Sequence, residues 1–133
     1  VVEELEHFRV VLDLLQRRGI GFTSHPPGTY GRKLQELVRK GEPARAIDRM
    51  LVACLIEARS CERFARLRDH VDDRELSDFF GSLFESEARH HSTYAKLATF
   101  FAPEPEIRAR LDTLASAEAE IIRAGDPLPR MHS

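Results

Sequence analysis

Apolar residues recur every three or four positions along most of this chain, with charged residues between them. This spacing places the apolar side chains on one side of an α-helix. Proline and glycine clusters interrupt the pattern near residues 19–31, 41–43, 103–105 and after 125. No alternating apolar–polar run of the kind that strands require persists. The sequence therefore predicts an all-α protein, with helices to about residue 18 and at roughly 31–40, 44–68, 74–101 and 106–123.

Length and composition limit the protein to one compact unit. At 133 residues and 42% hydrophobic residues, the chain can bury one core, so residues 1–133 are predicted to form a single domain. The sequence contains no repeat, low-complexity segment, signal peptide or long apolar span. These features favour a cytoplasmic protein without a membrane partner.

Two Glu-x-x-His units stand out within the predicted helices: Glu4 with His7, and Glu87 with His90. A carboxylate and an imidazole three residues apart share one side of a helix and can hold a metal ion together. Two such units on separate helices, each helped by a further carboxylate, form the di-iron or di-manganese site of ferritin-like bundles. The pair of units therefore indicates a two-metal site.

The helical positions of both units support this interpretation. At 100° per residue, Glu87 lies within about 60° of Leu83 and Phe84, on the apolar side of its helix. Glu4 is likewise flanked by apolar residues of its own helix. A carboxylate on an apolar face costs several kcal/mol unless it is paired, so a solvated surface role is disfavoured. A histidine that is merely hydrogen-bonded in the core remains an alternative for either imidazole taken alone.

A third carboxylate is expected from the helix at 44–68. If this helix and the next form an antiparallel hairpin around a turn at 71–74, positions near 56 lie beside Glu87. Glu57 is at this place and points toward the apolar side. Glu62 lies about 7.5 Å nearer the turn and points elsewhere, which favours a role at the surface or behind the ligands.

Two sequence runs carry a family resemblance. The run IEARSCERF at 56–64, followed by LFESEARH at 83–90, resembles the bacterial tRNA 2-methylthio-isopentenyl-adenosine hydroxylases. The segment EELEHF at 3–8, the RRGI that follows at 17–20 and the ending RMHS at 130–133 resemble them as well. The resemblance implies a ferritin-like four-helix bundle with extra helices, two non-haem iron ions, O2 as co-substrate and an external electron donor. It also implies a reductase or electron-transfer protein and tRNA as partners.

The family pattern and this sequence differ at the N-terminal side. Family members carry another helix before the first Glu-x-x-His unit, and that helix brings the remaining carboxylate ligand. The sequence begins at Val1, so we expect the first bundle helix to be missing from this chain. Glu118 is an internal contender for the fourth carboxylate, because it lies near the apolar stripe of the last helix. A buried carboxylate bonded to an arginine is the alternative for Glu118.

Other residues near the expected site have weaker signals. Tyr94 and His91 are candidates for a layer behind the ligands, in contact with a ligand or with bound oxygen. Cys54 and Cys61 lie about 10 Å apart along one helix, too far for a disulfide. They are interpreted as small core residues rather than ligands.

The charge of the chain is unevenly distributed. The net charge is −2, yet residues 16–49 contain eight basic and three acidic residues. This segment is +5 and the remainder −7, an asymmetry that can attract RNA phosphates. The predicted RNA-binding residues are Arg17, Arg18, Arg32, Lys33, Arg39 and Lys40. A solvated helical surface produces similar runs, and the resemblance is what favours RNA.

These observations together predict an O2-dependent di-iron monooxygenase that hydroxylates the isopentenyl side chain of a hypermodified adenosine in tRNA. Glu4, Glu57 and Glu87 would be the catalytic carboxylates, and with His7 and His90 they would form the metal ligands. A ferritin-like or rubrerythrin-like iron-storage or peroxidase protein is the alternative, since it would use the same ligands without RNA.

Overall fold

All the regular secondary structure is α-helical in the part of the chain that the computed structural model describes, namely residues 2–88 and 91–132, with side chains except at 2, 3, 91 and 92. The helices are α1 (Val2–Arg17), α2 (Tyr30–Glu36), α3 (Ala44–His70), α4 (Arg74–Glu87), α5 (His91–Ala98) and α6 (Glu104–Ala124). The all-α prediction is confirmed. Among these residues, no helix combines the length and apolarity needed to cross a bilayer.

The longest helix, α3, organises the others around it. It packs along α4 and α5, and it also contacts α6 and α2. The main apolar core contains residues of α2, the first half of α3, the end of α5 and α6; its most buried members are Leu34, Leu51, Ala98 and Leu114. The second half of α3, from about Glu57 onward, lies beyond this core and faces α4.

The predicted turn between the two long helices is present. Asp73 caps the N-terminus of α4, where its carboxylate accepts a hydrogen bond of 3.0 Å from the backbone N–H of Leu76. Such a cap satisfies one of the free N–H groups of the first helical turn. Asp73 and Glu75 also form ion pairs with Arg18, at 2.8 and 2.6 Å, which join the end of α1 to the start of α4.

Two helix predictions differ from the structure. The helix predicted at 31–40 is shorter in the structure and ends at Glu36. The sequence predicts a continuous helix over 74–101, whereas the structure describes α4 to Glu87 and α5 from His91 to Ala98. Residues 89 and 90 between them are outside the described residues. The C-terminal difference has a physical reason: Phe100 and Phe101 are 83% and 51% exposed. Neither ring gains enough burial to extend the helix before Pro103, whose ring disfavours helix at the preceding residue.

A buried carboxylate fastens the last helix to the core. Asp48 of α3 is fully buried and accepts hydrogen bonds from Arg39 and from Arg110 of α6, the shortest at 2.7 Å. Burial alone would raise the pKa of Asp48, but the bonds from Arg110 and Arg39 outweigh it and hold this pKa well below its ordinary value. Asp48 therefore stays ionised as the shared anion of two arginines.

Candidate metal centre

Three of the predicted ligands meet between α1 and α4. Nδ1 of His7 lies 3.1 Å from Oε1 of Glu87 and 3.7 Å from Oε2 of Glu4. One ligand atom from each of these residues falls within 4.8 Å of the other two. Glu4 and His7 share one side of α1 because they are three residues apart. Glu87 reaches them from the last turn of α4, as the sequence pattern predicts.

The burial of this cluster is unequal. Glu87 is only 6% exposed, His7 is partly buried, and Glu4 lies at the open side. The second carboxylate oxygen of Glu87, Oε2, is buried and has no hydrogen-bond partner among the residues that the structure describes. A buried anionic oxygen without a donor costs free energy. A bound cation removes that cost, and the carboxylate and imidazole donors suit iron. The residues present therefore fit a metal ion.

The histidine ring is oriented from behind by a serine. Nε2 of His7 lies 2.9 Å from Oγ of Ser86, the residue directly before Glu87. When Nδ1 carries a metal, the Nε2–H can donate to this hydroxyl, which fixes the tautomer and the plane of the ring. Sequence analysis missed Ser86. In the sequence, Ser86 is marked only by its position beside Glu87. At its angle around the helix, a polar side chain faces solvent as often as it faces another helix.

Glu57 approaches the cluster from α3. Burial is the largest cause that raises the pKa of the Cys61 thiol, followed by the negative charges of Glu87 and Glu57. Burial, and after it the negative charge of Glu57, also raises the pKa of the Cys54 thiol. Glu57 therefore lies within electrostatic range of the same space as Glu87, although it is outside the compact group of Glu4, His7 and Glu87. Its role as a ligand stays a prediction.

Tyr94 of α5 faces the three carboxylates. Burial, and after it the charges of Glu57, Glu4 and Glu87, raise the pKa of the Tyr94 phenol. A phenol is already neutral at pH 7, and the raised pKa keeps it so at higher pH, so Tyr94 can serve as a hydrogen-bond donor toward this space. His90 and the side chain of His91 lie outside the described residues, so the histidine of the second unit cannot be placed.

The two cysteines are free thiols on α3. Cys54 is buried and Cys61 partly buried, and neither belongs to the Glu4–His7–Glu87 group in the described part of the chain. Their raised pKa values favour the neutral thiol, which is a poor metal ligand. This agrees with the interpretation that both are core residues.

Glu118 does not join the metal centre. Its buried carboxylate accepts hydrogen bonds from Arg59, at 2.9 and 3.0 Å, and from the Tyr30 hydroxyl at 2.8 Å. These bonds occupy both of its oxygens, and they join α2, α3 and α6. The alternative of a buried carboxylate bonded to an arginine is thus the one observed. Arg59 also pairs with Glu62, which places Glu62 away from the ligand cluster.

The predicted RNA-binding residues lie at the end of α1 and around α2, and many of them have carboxylate partners. Arg17 and Arg18 pair with Glu75, and Arg32 pairs with Glu36. Arg39 pairs with Asp48. Ion pairing within the protein reduces the charge that these arginines present to a polyanion. The prediction of an RNA surface along this segment remains open.

A solved structure that is similar to this chain identifies its fold class. The chain superimposes on a Synechococcus protein, described as "Protein 43 with aldehyde deformylating oxygenase activity", with a TM-score of 0.91 and 43% identity. That match covers 98% of this chain and 67% of the other. The fold is therefore ferritin-like, as predicted, and the carboxylate–histidine cluster lies within it.

The particular family follows from sequence. The family model described as tRNA-(MS[2]IO[6]A)-hydroxylase (MiaE) matches residues 1–133, and the chain belongs to this family. It is 43% identical over 131 residues to the tRNA 2-(methylsulfanyl)-N(6)-isopentenyladenosine(37) hydroxylase of Pseudomonas putida and 38% identical over 133 residues to that of Salmonella typhimurium. The chain spans 63% and 48% of the length of these relatives. The family resemblance noted in the sequence is confirmed.

Proposed function

We propose that this chain carries the di-iron centre of an O2-dependent monooxygenase that hydroxylates the isopentenyl side chain of a hypermodified adenosine in tRNA. The observation that carries the proposal is the convergence of Glu4, His7 and Glu87, together with the buried Oε2 of Glu87, which has no hydrogen-bond donor among the described residues. The named activity of the relatives supplies the substrate class. Glu57 and His90 complete the proposed ligand set.

Some residues of this chain would bind the metal, and others would keep water away from it. Glu4, Glu57 and Glu87 would be the anionic ligands, and His7 and His90 the neutral ones. Iron bound there would supply the activation of O2, with electrons from an external donor protein. Leu83 is buried one turn before Glu87. Phe64 and Phe80, which lie seven residues from Glu57 and Glu87 on their helices, stack with ring centroids 6.2 Å apart. This apolar wall would keep water out.

Tyr94 would act on the substrate side of the centre. Its neutral phenol, whose pKa is raised by burial and by three carboxylates, can donate a hydrogen bond to an oxygen bound in the same space. We retain six basic residues as the proposed RNA contacts, and several of them form the ion pairs with carboxylates described above. They are Arg17, Arg18, Arg32, Lys33, Arg39 and Lys40. A basic residue that forms an ion pair within the protein would contribute less to RNA affinity than a basic residue without such a pair.

The direct test replaces Glu87 by glutamine, which keeps the size of the side chain and removes its charge. We expect iron per chain to fall and the hydroxylated nucleoside to vanish, because loss of a ligand should exceed the roughly 10–100-fold effect of losing a partner behind one. Glu85→Gln is the matched control, since Glu85 is an exposed carboxylate on the same helix. Iron is measured by elemental mass spectrometry and product by nucleoside chromatography. Undiminished iron in Glu87→Gln would remove Glu87 from the ligand set.

A second substrate belongs in the same assay. The Synechococcus protein, 43% identical to this chain, is described as having aldehyde deformylating oxygenase activity. Iron-loaded protein should therefore be offered an aldehyde and prenylated tRNA in parallel. Turnover of tRNA without loss of the aldehyde is the result expected from the proposal. Turnover of the aldehyde alone would refute it.

A further inference from the structure

The C-terminal residues lie against the connection between α1 and α2. This C-terminal segment, residues 125–132, follows α6 and contains no regular helix or strand within those residues. It includes most of the RMHS ending, which carries part of the family resemblance and which the proposed function does not use. The connection, residues 18–29, is also irregular, and it leaves Phe22 exposed at the surface. Two irregular segments that are far apart in sequence are therefore in contact.

Hydrogen bonds join the C-terminal segment to the second half of the connection. Asp126 accepts bonds of 2.6 Å from both the hydroxyl and the backbone N–H of Thr29. These bonds, and after them one from the Leu128 N–H, lower the pKa of Asp126 to about 2. Arg130 donates to the carbonyl of Pro26 at 2.7 Å. Asp126 and Arg130 therefore keep their charges throughout the pH range in which a histidine titrates.

The end of the segment is held by one aromatic ring. The ring of His132 stacks on that of Tyr30 of α2, with centroids 4.8 Å apart and planes 9° from parallel. Its Nε2 lies 3.2 Å from Oγ of Ser60 on α3. Tyr30 is itself buried, and its hydroxyl donates to Glu118 of α6 at 2.8 Å. The surface on which His132 rests is therefore fixed by the core.

The groups around His132 oppose its protonation. Arg59 and Arg63 face it from α3, Glu118 from α6 and Tyr30 from α2. Burial is the largest cause that lowers the pKa of His132 below its ordinary value of 6.5, and the positive charge of Arg63 is the next. Glu118 acts in the opposite direction, but its carboxylate is already bonded to Arg59 and Tyr30. The stacked ring is therefore neutral at pH 7.

Apolar packing adds little to this contact. A cavity of 370 Å³ opens beside the stacked rings, with Gly31 and Ile56 on the helix side and Met131 on the other. Surfaces that border unfilled space lose dispersion contacts on that side. The attachment of the segment's end consequently depends on the ring of His132 more than on apolar packing.

We propose that the C-terminal segment is a strap over the α1–α2 connection, closed by the neutral ring of His132 on Tyr30 and Ser60 and opened when that ring takes up a proton. A protonated ring would add a partly buried cation beside Arg59 and Arg63, and release into water removes that cost. The inference concerns the fold and holds whether or not the proposed function is correct.

The direction of the pH effect follows from proton linkage. A ring whose pKa is lower in the closed strap than in the open one binds fewer protons when the strap is closed. The contribution of His132 to closure is therefore complete above the ordinary value of 6.5 and is lost as the pH falls below it. Because one proton is involved, the closing equilibrium changes by at most about tenfold per pH unit. Opening would free the second half of the connection, through which α1 joins the core.

The test places a reporter on the segment. The chain contains no tryptophan, so Leu128→Trp, at a side chain that is 37% exposed, adds a single fluorophore whose anisotropy falls when the segment becomes mobile. In this reporter chain, His132→Phe keeps a flat ring for stacking but cannot take up a proton. His25→Gln is the matched control, because His25 is an exposed histidine of the connection whose ring bonds to Thr23. Anisotropy and circular dichroism are recorded from about pH 7.5 to about pH 5.

We expect the anisotropy of the reporter chain to fall as the pH drops below about 6.5, while its helical circular dichroism stays constant. His132→Phe should keep its neutral-pH anisotropy throughout, and His25→Gln should behave as the reporter chain does. Hydrogen exchange at residues 20–29, corrected for its intrinsic pH dependence, should accelerate over the same range in the reporter chain and not in His132→Phe.

Three results would overturn the inference. A constant anisotropy in the reporter chain would show that the strap stays closed. An equal fall in His132→Phe would assign the change to another group. A parallel loss of circular dichroism would assign it to unfolding of the whole chain. If the segment of His132→Phe is open already at neutral pH, NMR titration of His132 in the unsubstituted chain decides: we expect a pKa below 6.5, and a value at or above 6.5 overturns the inference as well.

Discussion

Glu118→Gln separates the structural carboxylate of α6 from the metal ligands. The wild-type carboxylate is 4% exposed and accepts three hydrogen bonds, two from Arg59 and one from Tyr30. Glutamine fills the same volume but is uncharged, and its amide N–H₂ would face a guanidinium that is also a donor. The substitution therefore breaks a buried ion pair without creating a cavity.

The expected cost follows from the burial of the two partners. Removing one member of a buried ion pair costs about 3–5 kcal/mol, because the other charge is left without compensation. The side chain of Arg59 is 21% exposed and keeps its pairing with Glu62. We therefore expect the lower end, about 3 kcal/mol. For a chain of 133 residues this corresponds to a decrease in Tm of roughly 10 °C.

Urea unfolding followed by circular dichroism measures this change, and iron per chain is determined on the same preparations. Glu120→Gln is the matched control on the same helix. The side chain of Glu120 is 71% exposed and pairs with Arg123 across one turn, so its loss should change the stability by less than about 0.5 kcal/mol. Both variants should retain the iron content of the wild type.

The reasoning is refuted by one combination of results. If Glu118→Gln unfolds at the same urea concentration as the wild type but binds less iron, Glu118 is a ligand and not a structural anion. A double-mutant cycle with Arg59→Met checks the pair itself. A coupling energy near zero would show that Arg59 and Glu118 do not stabilise each other in solution.

Two further predictions concern a ligand support and a buried acid. Ser86→Ala should lower iron affinity by about tenfold, because the His7 ring would lose the contact that orients its Nε2 atom. This is the small end of the range for residues that support a metal ligand. Chelator competition measures the iron affinity, and Ser82→Ala, one turn earlier on α4, should leave that affinity unchanged. Asp48 has a pKa held below its ordinary value of 3.8, so its contribution to stability is complete above that pH and is lost as the pH falls through the lower folded-state value. Asp48→Asn should therefore flatten the decrease of the urea midpoint below about pH 4, and an unchanged acid profile would contradict this.

The sequence predicted what depends on local spacing. Glu4 and His7 share a helix side by their separation of three, and the Asp73 turn placed α3 and α4 as a hairpin. The helical repeat and the cost of an unpaired carboxylate placed Glu87 on the apolar side of its own helix. Its meeting with Glu4 and His7 was predicted from the pattern of ferritin-like metal sites.

The contacts that the sequence could not provide join residues far apart in the chain. Nothing in the periodicity indicates that Glu118 would choose Arg59, or that Ser86 would meet His7 at a separation of 79 residues. The end of the predicted helix at 101 was also wrong, since the apolar character of Phe101 suggested burial that the fold does not provide. Partner choice depends on the relative placement of helices, which single-sequence patterns do not encode.

The way α1 is held in place would make the proposed metal a part of the folding stability of the protein. At one end of α1, Arg17 and Arg18 form ion pairs with Glu75 and Asp73. Nearer the other end, the described contacts to α4 include those of His7 with Ser86 and Glu87. The second contact is made by the same atoms that would bind the metal, so the metal would act as a clasp between two helices distant in sequence. Its affinity would then appear as folding stability. If the proposed metal is removed, α1 should open before the other helices and become the first segment that an added protease cleaves.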